Sequence, residues 1–160
     1  MKLYTGSCYC GGVCIAVISK PLPETEVRED NCSICRRVRL PPPFYSINPI
    51  LITQIHPTQN GNASLYPTQS YVHITGAENT TMYRFAKGWV GHPFCKTCGV
   101  QVYMKVFGPE VKESWSDEMR TMVAAKCRIV PVRVAVLEGV ERGSLKVERS
   151  DEGTEGYVID

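Results

Sequence analysis

The chain has 160 residues, with 43% apolar side chains, eight cysteines and a formal net charge of +2. That length suits one domain with its own core, and the near balance of charge gives no footprint for nucleic acid or a membrane surface. No apolar run approaches the length of a membrane span, and the first ten residues, MKLYTGSCYC, lack the apolar segment of a secretory signal. A reducing, intracellular and cytoplasmic setting is therefore expected, in which paired cysteines bind metal or do chemistry more often than they form disulfides. In that setting the acceptor patterns at Asn31, Asn62 and Asn79 are chance matches to a glycosylation signal.

In chain order, the first informative segment is Cys8-x-Cys10, followed by Gly11 and Gly12. Val13, Ile15 and Val17 then alternate and predict a strand leaving a tight turn. Stretches 71–75 and 82–85 predict two short strands, with Gly76, Asn79 and Thr80 suiting a hairpin turn between them. Cys95-x-x-Cys98 follows, then Gly99 and the alternating Val100, Val102, Met104 and Val106, the clearest strand pattern in the chain. Trp115, Met119, Met122 and Val123 fall at helical spacing and predict a helix over 112–125 with a core-facing stripe. Acidic residues near its start and Lys126 and Arg128 at its end complement the helix dipole. Val132, Val134 and Val136 alternate again, and 145–147 adds a late strand. The tail 151–160 is expected to fray. Residues 38–59, with three consecutive prolines and no periodicity, fit none of this.

The two short cysteine pairs read as halves of one tetrahedral zinc site, Cys8, Cys10, Cys95 and Cys98. Zinc takes four thiolates at about 2.3 Å in structural sites. Four thiolates and one zinc ion would bring the chain near neutrality. Such a clasp suits a small, mainly β domain spanning 1–150. The alternative is a disulfide-stapled secreted domain. Cys14 and Cys127 read as buried small hydrophobes, and His73 as structural.

The segments GSCYCGGV, NCSICRR at 31–37, HPFCKTCG at 92–99 and PVRVAVLEGVE at 131–141 resemble the glutathione-dependent formaldehyde-activating enzyme family, which includes the centromere protein V group. The resemblance implies an Mss4-like β-sheet fold with the structural zinc on Cys8, Cys10, Cys95 and Cys98. It also implies a second zinc on a C-x-C-x-x-C cluster, matched here by Asp30, Cys32 and Cys35. Asp30 replaces the family's first cysteine, keeping the ligand charge but offering harder oxygen. The implied activity is that of a carbon–sulfur lyase on a glutathione or other small-thiol adduct of an aldehyde or related electrophile. On this reading, Arg36 and Arg37 pair with glutathione carboxylates or lie in a solvated loop, and His92 serves as a proton carrier, lies beside the metal or sits at the surface. The alternative is a non-catalytic zinc module that has lost its second site. Deleting 38–59 would join Arg37 to Asn60 and resemble fungal members more closely, the mark of an in-frame, unspliced intron. The rival reading is a substrate loop in which Phe44 and Tyr45 line a pocket; His56, in the same stretch, carries no assignment.

Overall fold

Lys2–Ser7 forms β1 and Cys14–Ser19 forms β2, an antiparallel hairpin in which Tyr4 lies opposite Val17 and Gly6 opposite Ile15. The period-2 geometry of a strand turns Tyr4, Ile15 and Val17 inward and leaves Leu3 and Ile18 at the surface. The Tyr4 hydroxyl accepts the Leu22 amide at 2.9 Å, so its polar end is satisfied within the core. The computed structural model that shows this describes residues 1–30, 34 and 63–150. Cys32, Cys35, Arg36, Arg37, the whole 38–59 stretch and the 151–160 tail lie outside the described residues, and so do the readings placed on them.

The architecture is mainly β. Among the described residues ten strands form three sheets, and one α-helix, α1 (Asp117–Cys127), stands beside them. The first sheet joins β1, β2 and β5 (Val72–Thr75). The second runs β10 (Val147–Ser150), β3 (Val27–Asp30), β4 (Ala63–Leu65), β9 (Val132–Arg133). Its β10–β3 pair is parallel and the others antiparallel. The third joins β6 (Thr80–Arg84), β7 (Val90–Cys95) and β8 (Lys105–Val106). Val13, Ile15, Val17, Val27, Leu65, Val102 and Val132 make the buried centre. No helix among the described residues is long and apolar enough to cross a membrane.

Several local expectations change. The 71–75 and 82–85 stretches do not pair: β5 joins β2, whereas β6 joins β7. Gly76 and Asn79 therefore mark a crossing between sheets. The 100–106 stretch yields only the two-residue β8: before it the backbone bonds run to 131–133, Met104 donating to Pro131 and Val102 accepting from Arg133, with Tyr103 in a lone bridge to Val132. β7 was masked in the sequence by Pro93, which occupies its middle. The helix starts at Asp117, not 112, because the Ser116 hydroxyl caps the Met119 amide at 3.3 Å. Trp115 therefore precedes the helix, and Met119 and Met122 are 44% and 51% exposed instead of buried. Polar bonds secure this segment: Arg120 donates to the carbonyls of Trp115, Lys112 and Glu113. Cys14 is exposed and Cys127 only half-buried, at the helix end, so neither is a core residue.

Gly76 decides how closely the crossing approaches the first turn. It has φ 76°, and a Cβ there would lie 2.0 Å from the Gly12 carbonyl oxygen. Both the left-handed backbone and the contact oppose any side chain. Gly76→Ala is expected to cost more than about 2 kcal/mol in urea unfolding, and an unchanged midpoint would refute the close approach.

Candidate metal centre

β1 ends at Ser7, and the chain turns through Cys8–Val13 before β2 begins. The Cys8 amide donates to the Val13 carbonyl at 2.8 Å, and Gly11, at φ 74°, donates back to Cys8 at 3.0 Å. A matching turn follows β7: the Cys95 amide donates to Val100 at 3.1 Å, and Gly99, at φ 73°, donates to Cys95 at 2.9 Å. Each turn presents its two sulfurs toward the other. All four Sγ atoms of Cys8, Cys10, Cys95 and Cys98 lie within 4.8 Å of one another. Cys8–Cys10 and Cys10–Cys95 are 3.6 and 3.5 Å apart. Tetrahedral thiolates on a metal at about 2.3 Å sit about 3.8 Å apart, whereas a disulfide needs about 2.05 Å. The cluster fits a metal ion such as zinc.

Peptide dipoles favour thiolates here. The Val13 amide donates to the Cys8 sulfur at 3.3 Å. The Val100 amide, more than any other group, draws the Cys98 thiol down to about 6, and the Cys98 and Thr97 amides lower that of Cys95. The Gly12 amide acts in the same sense on Cys10, but contact with Cys95 and Cys8 and desolvation override it and push that thiol up to about 11. Four crowded thiols resist full ionisation until a cation neutralises them.

One residue unread in the sequence joins the two turns directly. Asn79 donates through Nδ2 to the Gly12 carbonyl at 2.8 Å, while its own carbonyl accepts the Lys96 amide at 2.8 Å. The Asn79 pattern looked like ordinary turn chemistry, and only the crossing between sheets reveals its second contact.

A buried polar chain lies apart from the sulfurs. Asp30, the last residue of β3, accepts the Tyr66 phenol on Oδ2 at 2.5 Å. Burial first, and then that bond, hold the Tyr66 phenol well above its ordinary range. In the same sheet Arg133 reaches Ser64 at 3.4 Å and donates to Gln101 Oε1 through Nε at 3.2 Å and Nη2 at 2.7 Å. Gln101 in turn meets His92 Nδ1 at 3.0 Å. Ser64, His92, Gln101 and Arg133 are all at least 95% buried. Burial draws the Arg133 guanidinium down to about 10, partly offset by the nearby Tyr66 and Asp30.

His92 lies three residues before Cys95 on β7, so strand alternation turns it to the opposite face. Burial, with Arg133 nearby, lowers its pKa to about 4. Near pH 7 it is therefore a neutral hydrogen-bonding group, not a charged acid. His73 sits exposed on β5, opposite Ala16.

No family model matches the chain. It is similar to the crystal structure of a Rhodobacter sphaeroides protein solved in a structural-genomics programme, at 26% sequence identity and a TM-score of 0.57. The match covers 91% of this chain and 99% of that one.

Two outcomes follow from this geometry. A strong chelator, or Cys95→Ser, is expected to remove most of the domain's stability, since four-cysteine metal sites contribute about 10 kcal/mol or more; Cys14→Ser, at an exposed thiol, serves as the control. If chelation leaves the melting temperature unchanged, the clasp is not a metal site. For His92, the unfolded chain binds a proton near pH 6.5 and the folded chain only near 4. Stability should therefore fall as pH drops through that window. His92→Gln should flatten this slope in acid titrations of unfolding, and an unchanged slope would contradict the assignment.

Proposed function

We propose that the chain is a zinc-dependent carbon–sulfur lyase of the glutathione-dependent formaldehyde-activating type, cleaving or forming a small-thiol adduct of an aldehyde or related electrophile. The observation that carries this reading is the four-sulfur clasp. It joins the same two motifs, GSCYCGGV and HPFCKTCG, on which the resemblance rests. Zinc on Cys8, Cys10, Cys95 and Cys98 cross-links the first and third sheets and leaves no open position for chemistry.

The reactive site belongs at the end of β3. Asp30 suits a metal ligand there: Tyr66 holds its Oδ2 by a hydrogen bond, fixing the orientation, and no described residue bonds its other oxygen. Cys32 and Cys35 complete the donor set that follows Asp30 in the sequence. A zinc ion bound by these three would supply Lewis acidity and favour the thiolate form of a small thiol. Arg36 and Arg37 supply guanidinium groups to pair with the carboxylates of glutathione. Tyr66, with its raised pKa, stays protonated at neutral pH and keeps Asp30 oriented as a carboxylate acceptor.

Metal analysis and turnover together test the reading. Purified, zinc-loaded full-length chain should hold about two zinc ions and consume S-hydroxymethylglutathione or another member of a thiol–aldehyde adduct panel. Asp30→Cys should keep or raise the metal content, and Asp30→Ala should lower it to about one and abolish turnover. One zinc per chain in the wild type, with no adduct consumed, would make the protein a non-catalytic zinc module instead.

A further inference from the structure

The Phe85–Val90 turn between β6 and β7 lines an open-mouthed cavity of about 250 Å³, with Trp89 and His92 in its wall. The turn is shaped for it. Ala86 adopts φ 50°, Gly88 φ 65°, and the Gly88 amide donates to Phe85 at 2.9 Å. Phe85 stacks on His92 with ring centroids 5.4 Å apart. Lys87 Nζ lies 5.0 Å above the Trp89 ring, so the ammonium sits at the rim and the wall stays aromatic.

The hydrogen-bond chain behind the cavity fixes the state of the imidazole. A guanidinium has donors only, so the Gln101 atom that takes both Arg133 bonds is its carbonyl oxygen. The Gln101 atom 3.0 Å from His92 is then the amide nitrogen, a donor. His92 Nδ1 must accept, and a neutral imidazole with an unprotonated Nδ1 carries its proton on Nε2. A charged imidazole would set one donor against another. No described residue accepts the Nε2–H, although His92 is 97% buried. With Nδ1 turned to Gln101, the Nε2 edge is left for the cavity.

We propose that this cavity binds a flat, apolar group carrying a hydrogen-bond acceptor, seated along the Trp89 wall and read by the His92 Nε2–H. The volume has room for a ring: a water molecule claims about 30 Å³, and a cavity of about 150 Å³ takes benzene. Aromatic walls favour a planar ring. A buried donor without an acceptor among the described residues favours a carbonyl, phenolate or ether oxygen over a hydrocarbon. If the lyase reading above holds, on which this clause alone rests, the occupant is the electrophile-derived arm of the adduct, and the preferred aldehyde is aromatic.

Two measurements on the zinc-loaded chain test the site, using acetophenone and ethylbenzene as matched probes with and without an acceptor. In ¹⁵N spectra of the histidine side chains, His92 should show a protonated Nε2 and a bare Nδ1 from about pH 8 down to about pH 5.5. In ¹H–¹⁵N titrations, acetophenone should shift the Trp89 indole N–H and the amides of 85–92, binding about fivefold or more tightly than ethylbenzene. His92→Phe should erase that preference while keeping apolar binding. A protonated Nδ1, equal affinities in the wild type, or no binding of either probe would overturn the proposal; the wild-type readouts stand even if the variant fails to fold. Turnover enters none of these results. A chain that cleaves thiol adducts yet ignores acetophenone loses the pocket and keeps the lyase, and the reverse result loses only the lyase.

Discussion

Everything in this molecule depends on the convergence of four sulfurs from two turns far apart in sequence. The Cys8–Cys10 turn belongs to the first sheet and the Cys95–Cys98 turn to the third. Among the described residues no continuous ladder of hydrogen bonds joins those sheets. The clasp and the Asn79 bridge supply the connection instead, one through metal and one through peptide groups. Amides aimed at the sulfurs prepare the site before any ion arrives, which lowers the cost of gathering negative charge. The two devices are complementary: Asn79 sets the spacing, and a metal ion would neutralise and lock it.

A second constraint runs through the interior. Arg133 is a buried cation, costly unless its donors are satisfied. Ser64 and Gln101 take several of them, and the need to satisfy Arg133 orients Gln101, which orients His92. Asp30 and Tyr66 sit within electrostatic reach on the same sheet. One polar seam thus extends from the strand end where Asp30 is displayed to the aromatic turn after β6. Packing and polar satisfaction, not loop flexibility, position both ends.

Much of this was readable before any coordinates. Local spacing made the two cysteine pairs conspicuous, alternation located β2, and the short strand candidates at 71–75 and 82–85 fell on β5 and β6. The mainly β class followed from those patterns. What stayed hidden involved long-range partners. Gln101 sits among valines in a stretch that alternates on paper, yet four consecutive residues there are buried and the stretch meets 131–133 through a lone bridge, not a ladder. β7 carries a proline, which argues against an inner strand until its pairing is seen. The helix stripe counted from Trp115 was one turn out of place because Ser116, not an earlier residue, is the cap. His92 lies close to Cys95 in sequence and across the strand from it in space, and adjacency alone suggested the wrong neighbour.

The parallel pairing of β10 with β3 carries a consequence for how the protein is made. β3 emerges early from the ribosome, but its outer neighbour is encoded near the end of the described chain. The strand that presents Asp30 therefore stays half-dressed until residues 147–150 have been made, and gains its last hydrogen bonds only then. Cysteines 8 and 10 must likewise wait for 95 and 98. Until both turns are made, the first pair of thiols stands without the second, and the four-sulfur site forms only after residue 98.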